Sequence, residues 1–355
     1  MSSYFTGMDL HSNNTCSGII DETGKKIFKA KFTNDLPEIL KSLEPYGKDI
    51  VGIVVESTYN WYWLVDGLMD AGYRVHLANP SAMKQYEGLK YVSDYTDAFH
   101  LANLLRLGIL PEGYIYPKAE RPIRDLLRKR TMLVQQRTAH ILSFESFFTR
   151  VSGKRIKSDE VKGFDIKKLD ETFKTEFEVL AAKANISVIK YLTEKIKEIE
   201  KVVLTAIKLT PQFQKLLTVR GIGNILALTI ALETGNIGRF KDVGNYASYC
   251  RCVQSIKKSN GKKKGENNRK NGNKFLAWAF VEAANKAKRY CPNASRFFQR
   301  KAAKTNNIVA TKALAHKIAR LSYHIMKDQS EYDPVRAFGR LKKGLQQLSS
   351  SGVGL

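Results

Sequence analysis

Short strand-like and helix-like patterns alternate through the first hundred residues. YFTGMDL and CSGIID are extended runs, and in KIFKAKF apolar and polar positions alternate with a period of two, as in a strand with one buried face. A turn centred on Gly24 separates the second run from the third. The pattern therefore predicts three antiparallel strands at the start of the chain.

Helices and further strands are expected after these three runs. In order, they are a helix that begins at Pro37, the apolar strand Ile50–Val55 ending in Glu56, a helix around Trp61–Met69, the strand Tyr73–Ala78 and a helix Asp94–Leu107 capped by Ser93. Hairpin strands followed by strand–helix–strand units predict a mixed sheet flanked by helices, which is an α/β domain.

From about Pro117 the pattern changes to long, charged segments without strand signals. Helices at about 120–150 and 176–208 flank a connector rich in Gly and Lys, and they would pair as a helical bundle or as a dimerising coiled coil. After Pro211 further helices surround a Lys/Asn/Gly-rich loop at 257–274. We therefore predict an α/β domain at 1–115, a helical region at 116–210, a mainly helical domain at 211–330 and a flexible tail at 331–355.

Charge divides the chain in the same place. The 355 residues hold 59 Lys and Arg against 34 Asp and Glu, a net charge of +25. Residues 1–115 hold 10 basic and 14 acidic residues, so residues 116–355 hold 49 and 20. A basic region of this size indicates a polyanionic partner. A soluble basic surface, or a protein that adheres to RNA without catalysing a reaction, would carry the same charge. The acidic first part argues against a pure binding protein.

Several classes of protein are excluded by composition. There is no apolar run of 18 residues and no signal-peptide pattern in MSSYFTGMD, so we expect no membrane partner and a cytoplasmic location. The four cysteines are too few for a disulfide scaffold, and Cys250 and Cys252 lack a second pair at metal-binding spacing.

Four acidic residues stand at the ends of predicted elements. Asp9 lies in the first strand, Glu56 closes the apolar strand, and Asp94 and Asp97 lie one turn apart on one helix face. Each alone would be an ordinary strand-end or helix-cap acid. Together they would supply hard oxygen ligands from several elements, as two Mg²⁺ ions at a phosphodiester require.

These segments resemble a known family. GMDLHS, VVESTYNWYW, ANPSAMK and SDYTDAFHLANLL are similar to the DEDD motif of RuvC-like insertion-sequence transposases related to the Piv invertase, the bridge-RNA-guided recombinases. The later segments VRGIGNILALTIALETGNIGRFKDVGNYASYC and KKSNGKKKGENNRKNGNKFLAWAFVEAA resemble the transposase domain of the same family. The resemblance covers nearly the whole chain.

The resemblance implies an RNase H-like (RuvC-like) fold for 1–115, a helical linker that helps to dimerise, and a C-terminal transposase domain with a catalytic serine. It implies that Asp9, Glu56, Asp94 and Asp97 are catalytic and hold two Mg²⁺ or Mn²⁺ ions. The implied partners are donor and target DNA, a structured non-coding guide RNA, and copies of the chain in a dimer or a synaptic tetramer. The implied setting is a prokaryotic nucleoid.

Ser259 in KKSNGKKKG is the residue that best matches the family's serine, because it lies in a basic loop upstream of Gly272 and Asn273. Ser255 is the rival. This chain departs from the family where Asn260 separates the serine from its glycine, where CRCVQ replaces a Gly-Leu-x-Pro turn, and where Ala277 replaces an arginine. Without the resemblance, Ser259 would be an ordinary polar loop residue.

Nucleic-acid contacts are expected at a turn, a loop and a helix. Gly221 and Gly223 resemble a helix-hairpin-helix turn that binds phosphate, although a tight turn between helices has the same pattern. The basic candidates are Lys257, Lys258, Lys262, Lys263, Lys264, Arg269, Lys270 and Lys274 in the loop, with Arg124 and Arg128 on a helix.

The sequence therefore predicts an RNA-guided DNA recombinase in which the acids of one subunit and Ser259 of another form a composite site. One alternative is a RuvC-like junction nuclease that uses water and the acids alone. The other is a non-enzymatic RNA- or DNA-binding protein with a degenerate first domain.

Overall fold

The structure is a computed structural model that describes residues 2–83, 93–207, 210–253, 256–266 and 271–339. The chain forms two compact units, 1–118 with 264–271, and 119–263 with 272–355. Within the described ranges, no helix has the length and apolarity needed to span a membrane.

The first unit contains a five-stranded mixed sheet. Its strands are β1 Tyr4–Leu10, β2 Asn14–Ile20, β3 Lys26–Thr33, β4 Ile50–Glu56 and β5 Val75–Ala78. They lie in the order β3-β2-β1-β4-β5, with β1, β2 and β3 antiparallel and with β4 and β5 parallel to β1. Its helices are α1 Leu36–Leu43, the 3₁₀ helix Glu44–Asp49, α2 Tyr62–Asp70 and α3 Asp94–Arg106.

Alternation along the strands divides the side chains between two faces of this sheet. Met8 and Leu10 of β1 join Val55 of β4 in the core that includes residues of α1 and α2. Val54 points to the opposite face, where it packs with Leu101 of α3. Positions that alternate with the first set therefore face α3, and both Asp9 and Glu56 are such positions.

Gly7 allows α3 to lie very close to β1. A Cβ atom at Gly7 would come within 1.9 Å of the carbonyl oxygen of Ala98, in the second turn of α3. No other amino acid fits there without displacing the helix. Gly7 and Asp9 share a face, so this contact fixes the start of α3 beside Asp9.

The predicted mixed α/β arrangement of the first unit is confirmed, with small shifts at element ends. The largest shift is at β5, which begins at Val75 where the sequence favoured Tyr73. The backbone N–H of Tyr73 donates to the carbonyl of Leu68, so Tyr73 still belongs to the turn that ends α2.

The second unit is mainly helical among its described residues. Two long helices, α4 Arg121–Ser152 and α7 Glu176–Ile207, pack along each other. The connector contains α5 Ser158–Lys162, the 3₁₀ helix Ile166–Lys168 and α6 Leu169–Thr172. The rings of Phe147 and Phe173 stack at 4.9 Å, so an aromatic cluster anchors this connector to α4.

The remaining helices form the largest core of the chain. They are α8 Pro211–Leu217, α9 Asn224–Thr234, the 3₁₀ helix Ile237–Arg239, α10 Val243–Tyr249, α11 Lys274–Tyr290, α12 Pro292–Lys304, α13 Asn307–Asp328 and α14 Pro334–Phe338. A further 3₁₀ turn, Lys118–Glu120, precedes α4.

The expected loop at 257–274 contains a β-hairpin, which corrects that prediction. Strands β6 Ile256–Ser259 and β7 Lys262–Glu266 pair across the two-residue turn Asn260–Gly261. Asn-Gly is the pair that two-residue hairpin turns favour, and the high lysine content of the flanking residues hid this signal.

Part of the segment assigned to a flexible tail is packed. In α14, the ring of Phe338 lies 5.8 Å from that of Phe297, and the amide of Asn293 donates to the carbonyl of Gly339. Residues 340–355 lie outside the described residues.

Candidate active site

Asp9 and Glu56 lie side by side near the ends of parallel strands β1 and β4. Met8 pairs with Val55, so the next residues along each strand are Asp9 and Glu56. Asp9 is only 4% exposed. The strands place both carboxyl groups on the face covered by α3, and near hydrogen-bonding distance of each other.

Asp94 and Asp97 occupy the first turn of α3. Ser93 caps this helix, since its hydroxyl accepts from the backbone N–H of Thr96 at 3.4 Å. A spacing of three residues puts both aspartates on the side of the helix that faces Asp9. The structure thus brings together all four acids that the sequence singled out.

Burial and mutual repulsion make these acids one electrostatic cluster. Burial, reinforced by Asp9 and Asp97, raises the pKa of Glu56 to about 7. Burial also raises the pKa of Asp9, and the pKa of Asp97 rises for the same reason with added repulsion from Asp9 and Asp94. Adjacent carboxylates in a desolvated place resist ionisation unless a cation joins them.

His11 lies at the mouth of this cluster. Its Nε2 is 3.1 Å from Oδ2 of Asp9 and 3.7 Å from Oδ1 of Asp94. The side-chain amides of Asn34 and Asn60 both donate to its backbone carbonyl, at 3.1 and 3.0 Å. These contacts hold the turn after β1, and so the imidazole is positioned beside the acids.

A cross-strand row brings a lysine to the fourth acid. Asp9 pairs with Cys16, and Cys16 pairs with Lys31, so the three side chains share one face. Nζ of Lys31 lies 3.3 Å from Oδ2 of Asp94 and lowers the pKa of this carboxyl group. The Cys16 thiol lies 3.8 Å from the same oxygen, and burial with nearby negative charge raises its pKa to about 11.

The arrangement suits divalent cations. Donor atoms of Asp9, His11 and Asp94 lie within 4.8 Å of one another, and Glu56 adjoins Asp9. Carboxylate oxygens are the ligands that Mg²⁺ and Mn²⁺ prefer. Clustered, partly buried carboxyl groups whose ionisation is disfavoured have the donor set and the electrostatic demand of such a site.

Ser259 is the last residue of β6 and is exposed directly before the hairpin turn. Lys262 and Lys264 of β7 are exposed as well. The described side chains do not include Lys257, Lys258 or Lys263, and the described residues do not include Ser255, Arg269 or Lys270.

Asn273 fixes the chain where it leaves this basic segment. Its backbone N–H donates to the carbonyl of Tyr249, and its Oδ1 caps α11 by accepting from the N–H groups of Phe275 and Leu276. Its Nδ2 donates to Glu233 at 2.7 Å. The asparagine of the Gly-Asn pair is therefore a structural anchor.

Of two arginines expected to follow phosphates, Arg124 is buried, and Arg128 is paired within the second unit although its side chain is 34% exposed. Arg128 makes two hydrogen bonds to Glu233, and its guanidinium lies 4.9 Å from the ring centre of Phe275. Arg124 is 8% exposed. These contacts favour a structural role for both. Lys274, by contrast, is exposed at the start of α11.

Gly221 and Gly223 differ in their surroundings. A Cβ at Gly221 would lie 2.7 Å from the carbonyl of Ala283 and from the N–H of Ala287, so this glycine packs against α11. Gly223 borders open space and precedes the first turn of α9. Only Gly223 has room for a phosphate nearby.

Sequence reasoning missed Lys31, Cys16, Asn34 and Glu233. Strand pairing brings Lys31 and Cys16 to Asp9, and no local pattern encodes that register. Glu233 sits in the apolar helix NILALTIALET, and an acid in such a helix is a signal for a buried polar partner.

Comparisons with known proteins agree with this geometry. A family model for DEDD transposases of the IS110 type, described as a transposase, matches residues 6–152. A second model, described as the transposase IS116/IS110/IS902 family, matches residues 213–299. A protein of Pseudomonas aeruginosa named as a probable family 20 transposase is 23% identical over 344 residues, which cover 92% of this chain and 94% of that protein.

Proposed function

We propose that this chain, which matches models of IS110-type transposase domains, is a metal-dependent DNA recombinase of an insertion sequence, cutting and rejoining donor and target DNA. The observation that carries the proposal is the convergence of Asp9, Glu56, Asp94 and Asp97 from two strands and a helix. An acidic cluster serves phosphoryl transfer only when cations bridge it to phosphate.

We infer an RNase H-like fold for the first unit. The strand order β3-β2-β1-β4-β5 supports this inference. The pairs β3–β2 and β2–β1 are antiparallel, and the pairs β1–β4 and β4–β5 are parallel. Catalytic groups gather at the carboxyl ends of parallel strands in open α/β sheets, where Asp9 and Glu56 lie.

The four acids would hold two Mg²⁺ or Mn²⁺ ions, which supply Lewis-acid polarisation of the phosphodiester when bound. Asp9 and Glu56 are held in fixed positions, because both project from paired strands. Asp94 and Asp97 close it from α3, whose approach depends on Gly7. His11, at its rim, positions Asp9 and Asp94.

Ser259 is proposed as the nucleophile. Its exposed position beside the hairpin turn supports this role, because a hydroxyl there can reach a DNA backbone. Attack by Oγ on phosphorus would form a phosphoserine bond as a strand P–O bond breaks, and reversal with a different strand end would rejoin DNA without an external energy source. We propose that Ser259 acts with the acids of another copy of the chain in a composite site.

Guidance by a structured RNA is the further part of the proposal. The excess of 49 basic over 20 acidic residues in 116–355 supports binding of an extensive polyanion. Base pairing between that RNA and DNA would supply sequence specificity, so the protein would need to recognise only backbone and shape.

Recombination with the element's own flanking DNA tests the proposal. Ser259→Ala should abolish both strand exchange and any protein–DNA adduct that survives denaturation, while Mn²⁺ binding persists. Ser255→Ala is the matched control and should retain the adduct. Adduct formation by Ser259→Ala but not by Ser255→Ala would transfer the nucleophile's role to Ser255.

RNA recovered with the protein after a high-salt wash tests the guide. One discrete RNA encoded beside the gene supports it, whereas a diffuse mixture contradicts it. Cutting that continues in Ser259→Ala favours the junction nuclease, for which the acidic cluster alone suffices. RNA or DNA binding with no cutting under any metal condition favours the binding protein.

A further inference from the structure

Lys31 reaches the acidic cluster from the edge of the sheet. It lies on β3, two strands away from Asp9, and the pairing Asp9–Cys16–Lys31 directs its side chain toward α3. Its Nζ lies 3.3 Å from Oδ2 of Asp94. Among the described residues, Lys31 and His11 are the basic groups that pair with the four acids.

The ion pair of Lys31 involves one of the four acids, Asp94. Nζ of Lys31 donates to Oδ2 of Asp94 at 3.3 Å, whereas Nε2 of His11 lies 3.1 Å from Oδ2 of Asp9. The ammonium group thus stands where a cation would ligate Asp94.

We propose that Lys31 is an internal cation that competes with a divalent ion for Asp94, holds this carboxylate in place before the ion binds, and weakens the ion's affinity. The inference rests on the proposed metal site. Both partners are exposed enough to separate, with side-chain exposures of 48% for Lys31 and 45% for Asp94. Lys31 is therefore a positioning residue that sets how readily the site fills.

If Lys31 competes with the ion, its loss should lower the stability of the metal-free protein and raise its affinity for the ion. Without metal, loss of the ammonium group removes the lysine that pairs with Asp94 among the described residues, and should destabilise the first unit slightly. With metal, the same loss removes a competing and repelling charge, so the affinity should rise by about threefold to tenfold for this exposed pair. Loss of a residue with only a structural role would lower both the stability without metal and the affinity for the divalent ion.

Calorimetric titration of the full chain with Mn²⁺ at fixed pH and ionic strength tests this inference. Lys31→Met should bind Mn²⁺ more tightly than the native protein and show a lower thermal midpoint in EDTA. Lys29→Met is the matched control, since Lys29 lies on the same strand and face but contacts the Tyr95 ring, 5.3 Å away. It should leave the affinity unchanged.

Lys31→Arg, which keeps the charge, should restore native affinity, and Lys31→Gln serves if the methionine variant does not fold. Unchanged or weaker Mn²⁺ binding by the neutral variants overturns the inference while leaving the metal site intact. An equal rise in Mn²⁺ affinity in Lys29→Met also overturns the inference, because the effect would then come from the change in overall charge. Absence of Mn²⁺ binding by the native protein overturns the proposed metal site itself.

Discussion

Arg128 and Glu233 form a two-pronged ion pair inside the second unit, with Nε and Nη2 of the arginine at 2.6 and 2.7 Å from the two carboxylate oxygens. Glu233 is only 3% exposed, and it also accepts from Asn273, the residue that caps α11. Three segments far apart in sequence, α4, α9 and the start of α11, are thereby joined at one carboxylate. The exit of the basic hairpin depends on this junction.

Arg128→Ala should destabilise the second unit by about 3 kcal/mol, because it leaves the Glu233 charge buried without its main partner. The double change Arg128→Met with Glu233→Met should recover much of that loss, since no buried charge then remains. Denaturant unfolding followed by circular dichroism measures both. Lys129→Ala, at the exposed neighbouring position, should change stability little. Equal losses in Arg128→Ala and the double variant would contradict this account.

The contribution of Glu56 to the free energy of unfolding of the metal-free protein should fall as pH rises from about 4.5 to about 7. A carboxyl group whose pKa is raised by folding binds its proton more tightly in the folded state, so its contribution is present at low pH and is lost as pH rises through the folded value. For Glu56 that value is about 7. Thermal midpoints in EDTA across this range should decline less for Glu56→Gln than for the native chain, and the exposed Glu38→Gln should match the native slope. A parallel decline in Glu56→Gln would exclude this cause.

Gly221→Ala and Gly223→Ala should differ in their effects. The first places a methyl group 2.7 Å from the backbone of α11, so we expect a loss of stability of roughly 2 kcal/mol or more. The second enters open space and should fold normally. If the turn holds a phosphate, Gly223→Ala should weaken DNA binding without destabilising the chain. Normal binding by this variant would assign the turn a packing role.

Lys262→Ala with Lys264→Ala should weaken DNA binding and make it less sensitive to salt. Both lysines are exposed on β7, and each lost phosphate contact lowers the salt-dependence slope by about 0.9. Binding measured at several salt concentrations gives this slope. Lys167→Ala with Lys168→Ala removes the same charge from an exposed place elsewhere in the second unit and is the control. Equal slopes in the two variants would show that the hairpin has no special role.

Much of the first unit could be predicted because its signals are local. Two extended runs predicted β1 and β2, period-two alternation predicted β3, and a serine cap predicted the start of α3. The hairpin at 256–266 was missed, although Asn260-Gly261 carries a local signal for it, because a lysine-rich segment has no apolar alternation. Arg124 and Arg128 were assigned to phosphate because charge in a sequence does not reveal burial.

By itself, the sequence determined most strands and helices of the first unit, and that four acids stand at or near their ends. These properties depend on neighbours within a few residues. Only the tertiary structure decided that Lys31 meets Asp94, 63 residues away, and that Arg128 pairs with Glu233. These contacts depend on strand register and on helix docking, which are fixed by packing between distant segments. The close packing of α3 against Gly7 is one example.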